Sequence, residues 1–161
     1  MSVNDREPRI RRARSDEAES LSALIMRSKA HWGYGSDQLA LWRESLPIAA
    51  ETIASEPVYC AEDAGAGVVM GMSHFYAQGA DEVYLDRLFI EPRYIGHGVG
   101  ALLWRHMVAQ AAALGARSVT LGADYHARPF YERMGAVVVE WQESAIPGRF
   151  NPVMRYDLPP R

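Results

Sequence analysis

Two segments of this sequence carry the residue types best suited to chemistry: a run of glycines, and a tyrosine thirty residues later. The glycine loop, Gly96-His97-Gly98-Val99-Gly100, follows the strand-like run Leu85–Ile90 and leads into a long apolar segment. A strand that opens through glycines into a helix presents backbone N–H groups at the positive end of the helix dipole, and this arrangement favours a bound phosphate. The segment Phe130–Gly135 places Tyr131 near a helix end with a glycine stop. Its hydroxyl can protonate a leaving group. Together the two segments predict a protein that holds a pyrophosphate-bearing compound and transfers a group from it.

The residues around the glycine loop argue against two common phosphate-binding motifs. A Walker-type loop has Lys followed by Ser or Thr after its last glycine, whereas Ala101 follows Gly100 here. A dinucleotide-binding fold places its loop after the first strand and an acidic residue about 20 positions on. Here the loop follows the fourth predicted strand, and that position is Thr120. Two glycines would suffice for a flexible turn, so three at alternate positions favour close approach by a ligand.

Two carboxylates precede the glycine loop on the same predicted strand. Glu82 and Asp86 lie on one face of it with Tyr84 between them. A carboxylate there can act as a general base, directly or through water. We prefer Asp86 as the base because its neighbours are apolar and it lies closer to the strand end. The alternative is a salt bridge from Asp86 to Arg87 or Arg105.

Hydrophobic periodicity predicts the elements that position these groups. The predicted strands cover residues 10–14, 58–62, 68–76, 83–90, 118–121, 136–141 and 154–158; the predicted helices run from Ser15 to about Lys29, from Ser36 to Leu46, from the glycine loop to Gly115, and from His126 to Met134. This order predicts an α/β (α+β) fold with a mixed sheet of about seven strands flanked by about four helices. The chain has no internal repeat or interior linker, so we expect one domain over residues 1–161.

The order of these elements and two motifs resemble the GNAT superfamily of acyl-CoA-dependent N-acetyltransferases. The first motif is the strand that ends before Pro92, followed by the glycine loop and its helix. In that family the loop amides hold the pyrophosphate of coenzyme A, and the preceding strand end hydrogen-bonds the pantetheine arm like an added strand. The resemblance therefore implies a cofactor-binding set of Gly96, His97, Gly98, Val99, Gly100 and Ala101, with Leu88, Phe89 and Ile90. Ile95 stands where the family commonly has Gln or Arg.

The second motif is the segment from Asp124 to Gly135, which is similar to the family's second signature. It adds Asp124, Ala127 and Phe130 to the cofactor-binding set, with Asp124 where relatives often have Asn. Tyr131 corresponds to the tyrosine that lies beside the cofactor sulfur in relatives and protonates the leaving thiolate. The alternative is a tyrosine packed in the core with its hydroxyl satisfied.

The resemblance also implies that the loop between the first two helices, Lys29 to Gly35, lines the acceptor pocket. Trp32 and Tyr34 in this loop can hold a cationic amine or a flat apolar substrate. Alternatively, the two rings close the core over the sheet. His74 on the third strand is a further candidate for substrate binding. No histidine has a partner at metal-ligand spacing, so we expect no metal.

The function that these features predict is transfer of an acetyl group from acetyl-CoA to a primary amine of a small molecule by direct attack. Cys60, the only cysteine, lies in an alternating strand-like run and is expected to be a buried residue rather than an acyl carrier. One alternative is acetylation of protein or peptide amines. Another, from a different class, is a catalytically silent acyl-CoA-binding module.

Bulk composition excludes several other classes of function. The net charge of −3 provides no field that would attract nucleic acid. A single cysteine fits a reducing compartment, and no apolar run approaches the length of a membrane span or a signal peptide. We therefore expect a cytoplasmic protein without a membrane or nucleic-acid partner. The oligomeric state stays open, a homodimer included.

Overall fold

The computed structural model describes residues 8–160, which form one seven-stranded sheet and five α-helices. The strands are β1 (Pro8–Arg12), β2 (Val58–Asp63), β3 (Val69–Gln78), β4 (Glu82–Ile90), β5 (Ser118–Gly122), β6 (Val137–Glu143) and β7 (Phe150–Asp157). The helices are α1 (Ala18–Ala30), α2 (Ser36–Ser45), α3 (Ala50–Ser55), α4 (Val99–Ala113) and α5 (Arg128–Arg133). The predicted α/β class and the mixed seven-stranded sheet are confirmed.

The strand order explains where the glycine loop lies. The order is β1-β2-β3-β4-β5-β7-β6, with β1 and β6 at the edges. β4 and β5 pair in parallel, whereas the β1–β2, β2–β3, β5–β7 and β6–β7 pairs are antiparallel. A parallel pair requires a crossover connection, and α4 supplies it. The glycine loop therefore begins this crossover, at the carboxyl end of β4, where open α/β sheets bind their ligands.

Contacts divide the chain into two compact units, each with its own buried residues. The first unit comprises the residues up to His74 together with Arg87–Leu103. One of its apolar clusters includes the buried face of α1, and its fully buried members are Leu21, Leu24, Ile25, Ile53, Val58, Cys60 and Met72. A second cluster joins the start of α4 to Ala61 and Met70.

The second unit comprises Phe75–Asp86 and the residues from Trp104 onwards. Its buried side chains include Val83, Leu85, Met107, Val119, Leu121 and Met154. The Trp104 ring packs edge-on against Tyr131 and Tyr156, with centroid separations of 5.8 and 5.5 Å. The tyrosine singled out by the sequence is therefore part of an aromatic cluster.

The predicted number of helices was one too few, because the prediction omitted α3. A six-residue helix is too short to show an apolar period, and its N-cap residue, Ala49, has no side-chain cap. Ile53 nevertheless anchors α3 in the core of the first unit. The helix is recognisable only from this tertiary contact.

The prediction also began β7 four residues too late, because it placed Pro152 in a loop. Proline has no N–H to donate and is usually confined to edge strands. In the structure Pro152 pairs with Trp141 of β6, and its carbonyl accepts a hydrogen bond from the N–H of Ala123 at 2.9 Å. The strand thus loses one donor but keeps its acceptor.

None of the helices within residues 8–160 combines the length and apolarity needed to cross a lipid bilayer.

Candidate active site

The glycine loop adopts a backbone that requires glycine at two positions. Gly96 and Gly98 both have a φ of +84°, in the left-handed region that other residues rarely enter. A Cβ added to either residue would meet no atom within 4 Å, so open space lies beside both. The glycines at 96 and 98 are therefore explained by backbone conformation, and they leave the loop surface free of side chains.

The start of α4 supplies further backbone donors directly after the two glycines. The N–H of Leu102 donates to the carbonyl of Gly98 at 3.1 Å, so helical hydrogen bonding reaches back to Gly98. The first N–H groups of any helix have no partner inside it. In α4 these belong to Val99, Gly100 and Ala101, at the positive end of a 15-residue helix. This arrangement suits an anionic group such as pyrophosphate.

The end of β4 is fixed by close packing on β3. Leu88 and Ile90 pack against the cluster that includes Val99, whereas Phe89 packs against the cluster beneath α1. A Cβ on Gly71 would lie 2.8 Å from Cδ1 of Ile90, a distance that real contacts do not reach. Gly71 thus permits β4 to approach β3 closely just before the glycine loop.

Tyr131 lies in α5 and is buried, with 7% of its surface exposed. Its ring contacts Trp104 and Phe130, the latter at a centroid separation of 5.1 Å. Burial, together with the charge of Asp124, raises the pKa of the Tyr131 hydroxyl above its usual value. The hydroxyl therefore stays protonated at neutral pH, as a proton donor must.

Asp124 precedes Tyr131 and has a basic partner that the sequence did not reveal. Its carboxylate accepts the N–H of His126 at 2.8 Å and caps the 3-10 turn Tyr125–Ala127 that leads into α5. Arg149 Nη2 lies 3.7 Å from the same carboxylate, and the Arg149 guanidinium lies 5.7 Å from the centre of the Tyr125 ring. Arg149 comes from the loop between β6 and β7, 25 residues from Asp124 in sequence, and no motif or periodicity marks it.

The two carboxylates of β4 have different surroundings. Glu82 accepts a hydrogen bond from Nε2 of Gln78 at 2.7 Å. Asp86 is exposed, and its charge contributes, after burial, to the raised pKa of Tyr84. Tyr84 lies on the same strand face, between the two carboxylates. The preference for Asp86 as a base thus stays a prediction, supported by its exposure.

His74 is buried, and both of its ring nitrogens are held by protein groups. Nε2 lies 2.7 Å from Oε2 of Glu56, and Nδ1 lies 2.9 Å from Nη1 of Arg87. Arginine only donates, so Nδ1 is the acceptor and Nε2 carries the proton towards Glu56. Arg87 also donates to the carbonyls of Leu46 and Pro47. His74 therefore connects β3 directly to Glu56 at the end of α3 and, through Arg87, to the loop before α3, a role that the sequence did not indicate.

The loop that we expect to line the acceptor pocket, called the acceptor loop below, comprises residues His31–Gly35, because α1 continues to Ala30. Trp32 is 38% exposed, which argues against a place in the core. Tyr34 packs edge-on against Trp42 at 4.5 Å, and the Lys29 ammonium lies 4.2 Å from the Trp42 ring centre and 5.4 Å from that of Tyr34. The predicted ability of these rings to hold a cation is thus already used by a lysine of the chain itself.

Cys60 is fully buried in β2, as its sequence neighbours predicted. Burial raises the pKa of the thiol to about 12, so the reactive thiolate is scarce at neutral pH. No group of three or more His, Cys, Asp or Glu side chains within residues 8–160 is arranged to hold a metal ion.

A family model and several solved structures match this chain. The model of the Acetyltransferase (GNAT) family matches residues 19–136, about three quarters of the chain. The uncharacterized N-acetyltransferase YafP of Escherichia coli strain K12 is 34% identical over 77 residues. That match covers 47% of this chain and 48% of YafP, so it spans about half the length of the relative.

Two solved structures share the fold over nearly their whole length. A GCN5-related N-acetyltransferase from Rhodopseudomonas palustris superposes with a TM-score of 0.78 at 23% identity, covering 98% of this chain and 100% of its own. The PaiA N-acetyltransferase of Thermoplasma acidophilum, in complex with coenzyme A, gives a TM-score of 0.75 at 16% identity, covering 94% and 99%. At these identities the likeness is one of fold.

Proposed function

The chain belongs to the GNAT family of acetyltransferases, and on that premise we propose that it transfers the acetyl group of acetyl-CoA to a primary amine of a small molecule. The observation that carries the proposal is the glycine loop. Its two left-handed glycines open onto free space, immediately before the N-terminus of a long helix. A pyrophosphate is the ligand that such a backbone recognises.

The proposed cofactor site consists of backbone donors with little side-chain chemistry. The amides of Gly96 and of Gly98 to Ala101 bind the pyrophosphate, whereas the N–H of His97 already donates to the carbonyl of Tyr94. Leu88, Phe89 and Ile90 present their backbone to the pantetheine arm. Asp124, Ala127 and Phe130 form the rest of the set. Asp124 differs from the neutral Asn of many relatives, and its partner Arg149 reduces the cost of this charge.

The proposed reaction is a direct attack on the thioester. Asp86, or Glu82 in its place, accepts a proton from the acceptor ammonium and so frees the nitrogen lone pair. The amine nitrogen attacks the thioester carbonyl, the new C–N bond forms, the nitrogen loses its second proton to water, and the C–S bond breaks. Tyr131 donates its hydroxyl proton to the leaving thiolate and regains one from water. Any tyrosine hydroxyl is protonated at neutral pH, so the proton is present; the raised pKa of Tyr131 makes it a weaker acid, so its role rests on the position of the residue in the second motif.

The proposed acceptor contacts are Trp32 and Tyr34. The exposure of Trp32 supports a ligand contact, whereas the Tyr34 face is shared with Trp42 and the Lys29 ammonium, so Tyr34 is proposed to contact the acceptor through its edge. His74, with both ring nitrogens held by Glu56 and Arg87, enters the proposal as a support for the acceptor side. The loop that it steadies lies between α2 and α3.

The proposal is tested by release of coenzyme A thiol from acetyl-CoA over a panel of small primary amines and short peptides. We expect release with small amines and none above the blank with peptides. Release with peptides alone would transfer the proposal to protein or peptide amines. Absence of coenzyme A binding in calorimetry would overturn the cofactor site itself.

Direct transfer has its own test in the same assay. Protein incubated with acetyl-CoA and no acceptor should keep its intact mass, and Cys60→Ala should retain turnover. An acetyl adduct that a later addition of amine removes would establish an acyl-enzyme instead.

A further inference from the structure

An ion pair joins the last turn of α1 to the residue before the glycine-loop turn. Nε and Nη2 of Arg27 donate to Oε1 and Oε2 of Glu91 at 2.8 and 2.7 Å. This two-bond geometry fixes the relative orientation of guanidinium and carboxylate, which a single contact would not. The Glu91 side chain is only 16% exposed, against 53% for Arg27. The pair thus combines a two-bond geometry with a largely buried carboxylate, unlike an ion pair between two exposed side chains.

On one side of the pair, Glu91 begins the turns that form the glycine loop. Its N–H donates to the carbonyl of Met70 at 2.9 Å, and its own carbonyl accepts the N–H of Tyr94 at 2.8 Å. The carbonyl of Tyr94 then accepts the N–H of His97 at 3.2 Å. A displacement of Glu91 is thus transmitted to the loop through consecutive hydrogen bonds.

On the other side of the pair, the backbone of Arg27 is hydrogen-bonded to the first residue of the acceptor loop. Its backbone carbonyl accepts the N–H of His31 at 3.1 Å. The His31 ring packs edge-on against Trp32 at a centroid separation of 4.9 Å. One residue therefore binds the cofactor side through its side chain and the acceptor loop through its backbone.

We propose that the Arg27–Glu91 ion pair couples the glycine loop to the acceptor loop, so that coenzyme A binding orders residues 31–35 before the acceptor binds. This inference rests on the proposed function, because it takes the glycine loop as the pyrophosphate site. A ligand that restricts the glycine loop restricts Glu91, and through Arg27 it restricts the first residues of the acceptor loop. Since coupling is reciprocal, an ordered acceptor loop raises the affinity for coenzyme A by the same factor. Arg27 is in this sense a positioning residue.

The experiment is amide hydrogen exchange on the full chain, with and without saturating coenzyme A. In the unaltered protein we expect coenzyme A to slow exchange in peptides covering residues 96–101 and also in those covering 31–35. In Arg27→Gln and Glu91→Gln, protection of 96–101 should remain, while the slowing at 31–35 should fall by about fivefold, the low end of measured couplings. The reversed pair, Arg27→Glu with Glu91→Arg, should restore it.

A kinetic readout separates coupling from loss of stability. Arg27→Gln should raise the acceptor's KM at saturating acetyl-CoA and leave kcat nearly unchanged. Arg155→Gln is the matched control, because Arg155 is 48% exposed and makes an ion pair of 2.8 Å with Asp157 on β7. This control should leave both exchange patterns and both kinetic constants as in the unaltered protein.

Several results would overturn the coupling. Protection of 96–101 without protection of 31–35 in the unaltered protein would do so, and so would equal slowing at 31–35 in the Gln variants. No protection of 96–101 in the unaltered protein would instead refute the proposed cofactor site, and the coupling with it.

Discussion

The glycine loop and the acceptor loop lie in the same unit of the molecule, yet they are built in opposite ways. The glycine loop is held by its own backbone, through turns that run from Glu91 to His97 and two glycines with a φ of +84°. The acceptor loop is distinguished by side chains: Trp32 is exposed, and Tyr34 packs with Trp42 beneath the Lys29 ammonium. The glycine loop thus offers backbone N–H donors, and the acceptor loop offers aromatic side chains.

This difference indicates how the two loops divide the work of recognition. Backbone amides at a helix start bind any pyrophosphate and carry no information about the rest of the ligand. Aromatic faces and a cation select by shape and charge, and they change with single substitutions. We therefore expect changes in the glycine loop to act mainly on coenzyme A and changes in the acceptor loop mainly on the amine, with only the smaller cross-effect that the Arg27–Glu91 coupling transmits.

The largest effect should come from a residue that belongs to neither loop. Tyr131→Phe removes the proposed proton donor and should lower kcat by about 10²-fold, with coenzyme A affinity almost unchanged. Steady-state kinetics and calorimetry check the two halves of this expectation. An unchanged kcat would mean that Tyr131 only packs and that water protonates the thiolate.

Tyr156 offers a matched control for this substitution. Its ring also packs on Trp104, so Tyr156→Phe removes a hydroxyl from the same aromatic cluster. We expect nearly normal turnover in that variant. An equal loss in both would assign the effect to disturbance of the cluster.

A change in the glycine loop should come next in size. Gly98→Val forces a β-branched residue into a left-handed conformation, at a cost of about 1–3 kcal/mol, and covers the surface that we assign to the pyrophosphate. The Kd for coenzyme A should rise about tenfold or more in calorimetry, whereas the acceptor's KM should change little. Gly67→Val is the control, because Gly67 has a φ of +68° and open space around it in the β2–β3 turn. A similar rise in Kd for both variants would refute a specific role of the glycine loop.

The smallest effect should come from the acceptor loop. Trp32→Ala should raise the acceptor's KM severalfold and leave that of acetyl-CoA unchanged, since Trp32 is exposed and contributes little to the core. Trp141, 44% exposed on β6, provides a tryptophan of similar exposure, and Trp141→Ala should leave both constants unchanged. If Trp32→Ala instead lowers the melting temperature without altering the kinetic constants, the Trp32 ring packs in the core and does not contact the acceptor.

The elements predicted most accurately are those marked by a pattern of neighbouring residues in the sequence. One face of α1, formed by the apolar Leu21, Leu24 and Ile25 together with Ser28, is buried, as expected for residues at helical spacing. The glycine loop was likewise located correctly between β4 and α4, because its glycines mark a backbone conformation. Both signals lie within a few consecutive residues.

Features that depend on distant partners were missed for a physical reason. The expected start of α1 at Ser15 is a 3-10 turn in the structure, where Glu17 pairs with Arg11 of β1, which also pairs with Glu62 of β2, 51 residues away in sequence. Arg149 next to Asp124 is a second example, since neither residue indicates the other in sequence. The Arg27–Glu91 pair, 64 residues apart, is a third. Side-chain pairs between separate elements produce no periodic pattern in the sequence, so they cannot be predicted from the spacing of residues.

The burial of Cys60 has a practical consequence for every one of these measurements. The chain contains a single cysteine, and it is inaccessible in the native state. A colorimetric disulfide reagent added to a turnover assay would thus count only the coenzyme A that is released, with no background from folded enzyme. In a separate sample without acetyl-CoA, the rate at which the same reagent labels Cys60 reports how often the first unit opens.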